Sequence, residues 1–310
     1  MVRHESHPLK YEDKFMVQHC RQKTLANPVK CSGIGVHSGR NVNLTIKPAP
    51  VNHGIKFERV DLPDRPRINA LFNMVVDTSL ATVIGNQGAI VSTIEHLMAS
   101  FSGLSIDNAL VELDAYEMPI MDGSAFQFTR MLLEGGMVEQ ESPKSYFIVK
   151  KPIILEENEK SVKLYPSDIP KLTCTIEYNH PLIKTQTCSI ELNADTFEKE
   201  ICSARTFGFV QDIEMMKRYG LGRGGSLDNA VVIDTQTVLN DGGLRFPDEF
   251  VRHKLLDCIG DFSLLGMPIL GHIVAFKSGH AFNHAFLKEF FARKDAWETL
   301  SSKDCQALNA

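Results

Sequence analysis

The clearest chemical signal in the chain is one stretch, Asp248-Glu249-Phe250-Val251-Arg252-His253-Lys254-Leu255-Leu256-Asp257-Cys258-Ile259-Gly260-Asp261-Phe262. At about 100° per helical residue, Val251, Leu255, Cys258, Ile259 and Phe262 share one face, and His253, Asp257 and Asp261 line up on the far side. A solvated stripe usually carries Lys and Glu, whereas this one carries a His and two Asp with no cation of its own. Spacing of i, i+4 lets His253 and Asp257 point at one ion. A hydrolytic metal site needs three protein ligands and an open position. It also needs a carboxylate base and an oxyanion donor. His96 is the candidate third ligand and Glu95, its neighbour, the candidate base. His280, in a Gly-containing loop after a strand, is a candidate general acid, and Thr206 offers a hydroxyl to an oxyanion. The chain lacks the H-E-x-x-H of ordinary zincins, and nothing local joins residue 96 to residue 253.

Each of these residues also has a structural reading. Ser92-Thr93-Ile94-Glu95 has the form of a capping box, in which the Glu95 carboxylate turns back onto the Ser92 backbone. Lys254 alone reads as a solvated helix lysine. Asp122-Gly123-Ser124 reads as turn and N-cap chemistry. Gly222-Arg223-Gly224-Gly225-Ser226 lacks both the Lys-Ser/Thr of a P-loop and the dinucleotide spacing, so it reads as a connector.

The elements that must position these residues follow from periodicity. Strands and turns fill the text from Phe15 to Val91, a helix follows from Ser92 to Phe101, and Gly103 stops it. A further strand (106–113) and a helix (125–133) complete the first half. Residues 139–144, polar and containing Pro143, read as a linker. The second half restarts with strands, then reads as a helix near 194–201, a short helix at 212–219, the His253 helix, a strand at 273–276 and a final helix over 284–300. Both halves thus place a His-bearing helix after a strand-rich stretch.

A chain of 310 residues, 43% hydrophobic, can form two medium domains. Its net charge of −5 argues against a nucleic-acid groove or a polybasic membrane surface built on bulk charge. Seven scattered cysteines with no C-x-x-C pair suggest neither a disulfide framework nor a thiolate zinc site, and fit a reducing cytosol. No run of about 18 apolar residues spans a bilayer. The polar residues 1–14 read as a flexible extension.

The segments Ser92-Thr93-Ile94-Glu95-His96-Leu97, Pro119-Ile120-Met121-Asp122-Gly123-Ser124, Arg205-Thr206-Phe207-Gly208-Phe209, Phe250 to Asp257, and Phe276-Lys277-Ser278-Gly279-His280 closely resemble motifs of the UDP-3-O-acyl-N-acetylglucosamine deacetylases, zinc amidases of lipid A biosynthesis in Gram-negative bacteria. The resemblance runs in order over about residues 15–300. It implies an α+β fold of two similar domains, each a sheet with a helix layer, packed helices-to-helices as a β-α-α-β sandwich. The implied parts are domain I at 15–140, a linker at 141–145 and domain II at 146–303. It further implies Zn²⁺, with Fe²⁺ as the alternative metal, on His96, His253 and Asp257. Glu95 matches the family's base, His280 its acid, Asp261 the carboxylate orienting that acid, and Thr206 the oxyanion hydroxyl. Lys254, Lys150 and Phe207 match residues facing the nucleotide sugar. Residues 209–232 match an insert forming an apolar passage for the acyl chain, with Phe209, Leu227, Ala230 and Val232 expected on its wall. The expected protein is a cytoplasmic monomer, with peripheral contact at the inner membrane left open, acting on a UDP-linked acyl-glucosamine and on no nucleic acid. Two readings stand beside it: an amidase for another N-acetylated sugar, and a non-catalytic lipid or nucleotide-sugar binding module.

Overall fold

The computed structural model describes residues 21–301. The expected extension 1–14 lies outside the described residues, as do 15–20 and 302–303 at the ends of the two expected domains. The first half contains β1 (Arg21–Leu25), β2 (Val29–Ile34), β3 (Asn41–Pro48), β4 (Ile55–Arg59), β5 (Arg67–Asn69), β6 (Val75–Asp77), β7 (Val83–Asn86), β8 (Ala89–Val91), β9 (Ala109–Leu113) and β10 (Met137–Pro143), with helices α1 (Glu95–Gly103) and α2 (Phe126–Gly135). The second contains β11 (Ser145–Val149), β12 (Ile153–Glu157), β13 (Lys160–Tyr165), β14 (Pro170–Tyr178), β15 (Lys184–Glu191), β16 (Phe207–Phe209), β17 (Val231–Ile233), β18 (Ile269–Phe276) and β19 (Trp297–Ser301). Its main helices are α3 (Val210–Arg218), α4 (Glu249–Ser263) and α5 (His280–Ala292).

The first sheet has the order β2-β3-β9-β4-β5 and the second the order β12-β13-β18-β11-β19, with β14 on β18 and β15 beyond it. Alternation explains both sheets. In β3 the apolar Val42, Leu44 and Ile46 are buried while Asn41 and Asn43 are exposed, so one face meets the helices and the other meets solvent. Helices α1 and α4 form the inner layers and pack on each other, giving the expected sheet, helix, helix, sheet order. Their contact is close at Gly260, where a Cβ would lie 2.1 Å from the carbonyl oxygen of Glu95. The polar stripe of α4 is therefore not a solvent face: His253, Asp257 and Asp261 are all buried. No described helix is long and apolar enough to cross a membrane.

One local expectation is corrected. The final helix does not run over 284–300. It starts at His280 after Gly279, ends at Ala292, and is followed by strand β19 paired antiparallel to β11, with Phe147 opposite Thr299. The chain leaves the helix at Arg293, and Trp297 stacks on Phe290 with ring centroids 5.1 Å apart while donating its indole N–H to the Phe290 carbonyl at 2.8 Å. Residues 137–143 form strand β10, paired antiparallel with β1, and β11 begins at Ser145. The expected helix over 194–201 is present, as an α-helical start at Ala194–Thr196 that continues as a π-helix over Phe197–Ile201.

Candidate metal and catalytic centre

The helix that carries Glu95 and His96 follows a strained residue. Thr93 has φ +62, and α1 then starts at Glu95 with Ile94 as its cap and no side-chain cap bond. The capping-box reading of Glu95 is thereby overturned. Its Oε2 accepts a hydrogen bond from the backbone N–H of Thr82 at 3.1 Å, while the Ser92 N–H goes to the Tyr116 carbonyl at 2.8 Å. Turned away from its own helix end, the Glu95 carboxylate lies inside the molecule between α1 and α4.

His96, one residue on, meets the i, i+4 pair of α4. Ligand atoms of His96, His253 and Asp257 all lie within 4.8 Å of one another, and all three residues are buried. His253 Nε2 is 3.4 Å and His96 Nε2 is 3.7 Å from Asp257 Oδ1. The other ring nitrogen of His253, Nδ1, is 3.1 Å from the Ala204 carbonyl oxygen. A carbonyl only accepts, so Nδ1 carries the proton and the Nε2 lone pair faces the cluster. Burial, reinforced by the neighbouring His253, lowers the His96 pKa to about 3. Burial lowers that of His253 as well. For Asp257, burial acts to raise the pKa, but His253, Lys254, His280 and His96 outweigh it and the net direction is down. Two neutral imidazoles and one carboxylate are the protonation states in which these groups ligate, so the cluster fits a divalent transition metal.

A second set of groups surrounds Glu95. His280 Nε2 is 3.7 Å from Glu95 Oε1, and His280 Nδ1 is 2.9 Å from Asp261 Oδ2. Asp261 is fixed by two further donors, Thr82 Oγ1 at 2.5 Å and Asn283 Nδ2 at 2.8 Å. Burial disfavours the His280 cation, yet the Asp261 and Glu95 carboxylates prevail and raise its pKa to about 10. Burial raises the Glu95 pKa to about 7, against the pull of His280. The site thus pairs an acid kept protonated with a carboxylate poised near neutrality.

The segment 203–209 frames the cluster from the other side. Glu249, at the start of α4, is fully buried and accepts from Arg205 N at 2.9 Å, Arg205 Nε at 2.8 Å and Arg245 N at 2.6 Å. This fixes the backbone carrying Ala204 and Thr206, and Thr206 N–H donates to the Gly123 carbonyl at 2.7 Å. Phe207 packs edge-on against Phe250 at 5.0 Å and lies 6.5 Å from His253 between ring centroids. Strand β16 pairs in parallel with β17, setting Phe207 beside Val231, Gly208 beside Val232 and Phe209 beside Ile233. Ala230 and Val232 are half-buried there, and Leu227 is exposed. Lys254 reaches the Asp257 carboxylate, Nζ to Oδ2 at 2.9 Å, and lies 5.8 Å from the Phe207 ring centroid. Lys150 forms an ion pair with Glu298 at 3.0 Å. Sequence reasoning missed Thr82, Asn283 and Glu249. Only Glu249 carried a signal, as a carboxylate at the first turn of a helix facing an Arg-bearing segment.

A model of the UDP-3-O-acyl N-acetylglycosamine deacetylase family matches residues 22–292. The chain belongs to that family. It is similar to the UDP-3-O-acyl-N-acetylglucosamine deacetylase of Myxococcus xanthus (strain DK1622), with 46% identity over 282 residues, 91% of this chain and 90% of the relative. The enzyme of the same name from Syntrophus aciditrophicus (strain SB) is 47% identical over 285 residues, 92% and 90% of the two chains. That of Syntrophotalea carbinolica (strain DSM 2380 / NBRC 103641 / GraBd1) is 48% identical over 281 residues, 91% of each. The family model spans α1, α4 and α5, and so includes every residue of the cluster and of the Glu95 network.

Proposed function

We infer that this deacetylase hydrolyses the acetamide of UDP-3-O-acyl-N-acetylglucosamine to the free amine and acetate, a step of lipid A biosynthesis. The observation that carries the reading is the convergence of Glu95 and His96 from α1 with His253 and Asp257 from α4, beside a His280 paired with Asp261. The names of the relatives supply the substrate. We take the metal that His96, His253 and Asp257 would hold to be zinc, because two imidazoles and one carboxylate are the donor set of catalytic zinc sites. Bound there, it supplies Lewis acidity and lowers the pKa of a water from 15.7 to about 7.

The chain's own groups supply the remaining steps. Glu95 accepts the proton of the attacking water, for which a pKa near neutrality suits it. As the water oxygen bonds to the acetamide carbon, the Thr206 hydroxyl and the His280 cation stabilise the developing oxyanion. The C–N bond then breaks, and His280 gives its proton to the leaving amine. Asp261, held by Thr82 and Asn283, keeps His280 oriented and charged. Phe207 and Lys254 border the sugar and diphosphate, Lys150 lies further along the nucleotide, and Phe209, Leu227, Ala230 and Val232 line the acyl passage. The division into domains at about 141–145, a monomeric state and a cytoplasmic location belong to the same reading. Glu95→Ala should keep one metal per chain and lose on the order of 10²-fold or more in kcat. Turnover near wild type in that variant would sink the mechanism, and equal rates on acetylated sugars lacking UDP or the acyl chain would sink the substrate.

A further inference from the structure

A cavity of about 370 Å³ lies between the two halves. Glu95, His96, Thr206, His253, Asp257, Asp261 and His280 are all absent from its walls. It is floored by the later turns of α1 and α4, through Phe101, Leu104 and Phe262, with Ile273 of the second sheet. Leu104 lies eight residues beyond His96, about 12 Å along the helix direction at ~1.5 Å per residue.

The charge of its lining runs against that of the chain. The protein as a whole carries −5, yet four lysines, Lys23, Lys56, Lys144 and Lys171, line this cavity against one carboxylate, Asp107. Asp107 is already used: Oδ1 pairs with Lys144 Nζ at 2.8 Å and Oδ2 accepts the Lys23 backbone N–H at 2.8 Å. Among the described residues, no acidic side chain pairs with the ammonium groups of Lys23, Lys56 or Lys171. An apolar floor beneath three unneutralised cations complements one kind of molecule, an acyl chain with an anionic head. The volume sets its size. At about 30 Å³ per water-sized atom the cavity holds on the order of a dozen heavy atoms, within the range of ligand pockets.

We propose that this interdomain cavity is a second ligand site, for a medium-chain anionic amphiphile whose tail lies against Phe101, Leu104 and Phe262 and whose head sits among Lys23, Lys56 and Lys171. Its walls come from both sheets, so an occupant bridges the two halves and stabilises their packing by mass action.

The test uses the full chain and a decanoate analogue carrying a diazirine, with decanoate, decyl phosphate and decyltrimethylammonium as competitors. Labelled peptides should span residues 98–107 and 259–273, and decanoate or decyl phosphate should suppress the label; their relative potency separates a carboxylate from a phosphate head. Lys56→Glu/Lys171→Glu should weaken this label at least tenfold and leave deacetylase turnover unchanged. Should that variant fail to fold, Ala194→Trp, at an exposed position on the lining, should close the mouth and remove the label. Labelling confined to residues 207–232, equal competition by the cationic amphiphile, or undiminished labelling of a folded variant overturns the proposal. None of the labelling outcomes depends on the reaction assigned above.

Discussion

Gly260→Ala isolates the contact that brings the two halves of the site together. In an isolated helix this change is favourable by about 1 kcal/mol, and Gly260 sits in the interior of α4. In the folded protein the new Cβ would meet Glu95 at 2.1 Å from its carbonyl oxygen, 2.8 Å from its carbonyl carbon and 3.0 Å from its Cα. Ordinary contact begins at 3.4 Å, so α1 must retreat by about 1.3 Å at this point. The obstructing atoms are backbone, so no rotamer change relieves them. Overpacking of this kind costs about 1–3 kcal/mol, which offsets or exceeds the propensity gain. The retreat also carries Glu95 and His96 away from His253, Asp257 and His280, and a misplacement of about 1 Å can cost ~10²-fold in rate. We therefore expect kcat to fall by on the order of 10²-fold with weakened metal retention, while stability falls by no more than about 2 kcal/mol. Steady-state kinetics, metal analysis and denaturant unfolding on one preparation measure all three. A variant that is more stable than wild type and turns over within about twofold of it would refute the claim that this approach sets the geometry.

Two further outcomes follow from the Glu95 network. Thr82→Val removes the hydroxyl that Asp261 accepts from but keeps the backbone N–H to Glu95. A hydrogen bond to a charged group contributes about 1.5–3 kcal/mol, so kcat should drop roughly 10- to 100-fold with KM little changed, and Thr82→Ser should restore it. If Ser is as impaired as Val, the hydroxyl is not what positions Asp261. In metal-free protein the pKa values set the sign of a stability trend. His280 is raised from 6.5 to about 10, so its stabilisation is complete below about pH 6.5 and lost as pH approaches 10. Glu95 is raised from 4.5 to about 7, so the fold also binds an extra proton there that is lost by neutrality. Unfolding free energy should fall from pH 6.5 to 10, and Asp261→Asn should flatten the fall; a rise over that range contradicts the assignment.

Much of this site was legible in residue spacing, but only on one side. His253 and Asp257 announce themselves as an i, i+4 pair on an amphipathic helix, and the structure adds that their stripe is buried against α1. Nothing in the spacing joins residue 96 to residue 253, because that juxtaposition is made by the packing of two helices from different sheets. Family resemblance supplied it. Local grammar misled at Glu95, where a valid capping-box pattern lost to a backbone donor from Thr82, 13 residues earlier. Thr82 and Asn283 have no sequence signal, since a lone Thr beside a strand and an Asn in an apolar helix look like ordinary fillers. Lys254 read alone looks like a solvated helix lysine, yet its ammonium is bound to the carboxylate of Asp257. The misread C-terminal strand arose from helix-compatible residues after Ala292, whose pairing with β11 is a long-range term that local pattern does not contain.

The central claim is that the cluster of His96, His253 and Asp257 holds the metal on which amide cleavage depends. Its most direct test is to strip the protein with a chelator and titrate zinc back while measuring acetate release from UDP-3-O-acyl-N-acetylglucosamine. The rate should climb from near zero and level off at about one zinc per chain, as three ligands with one open position require. Full turnover by the stripped protein, or no recovery of activity with zinc, would contradict it.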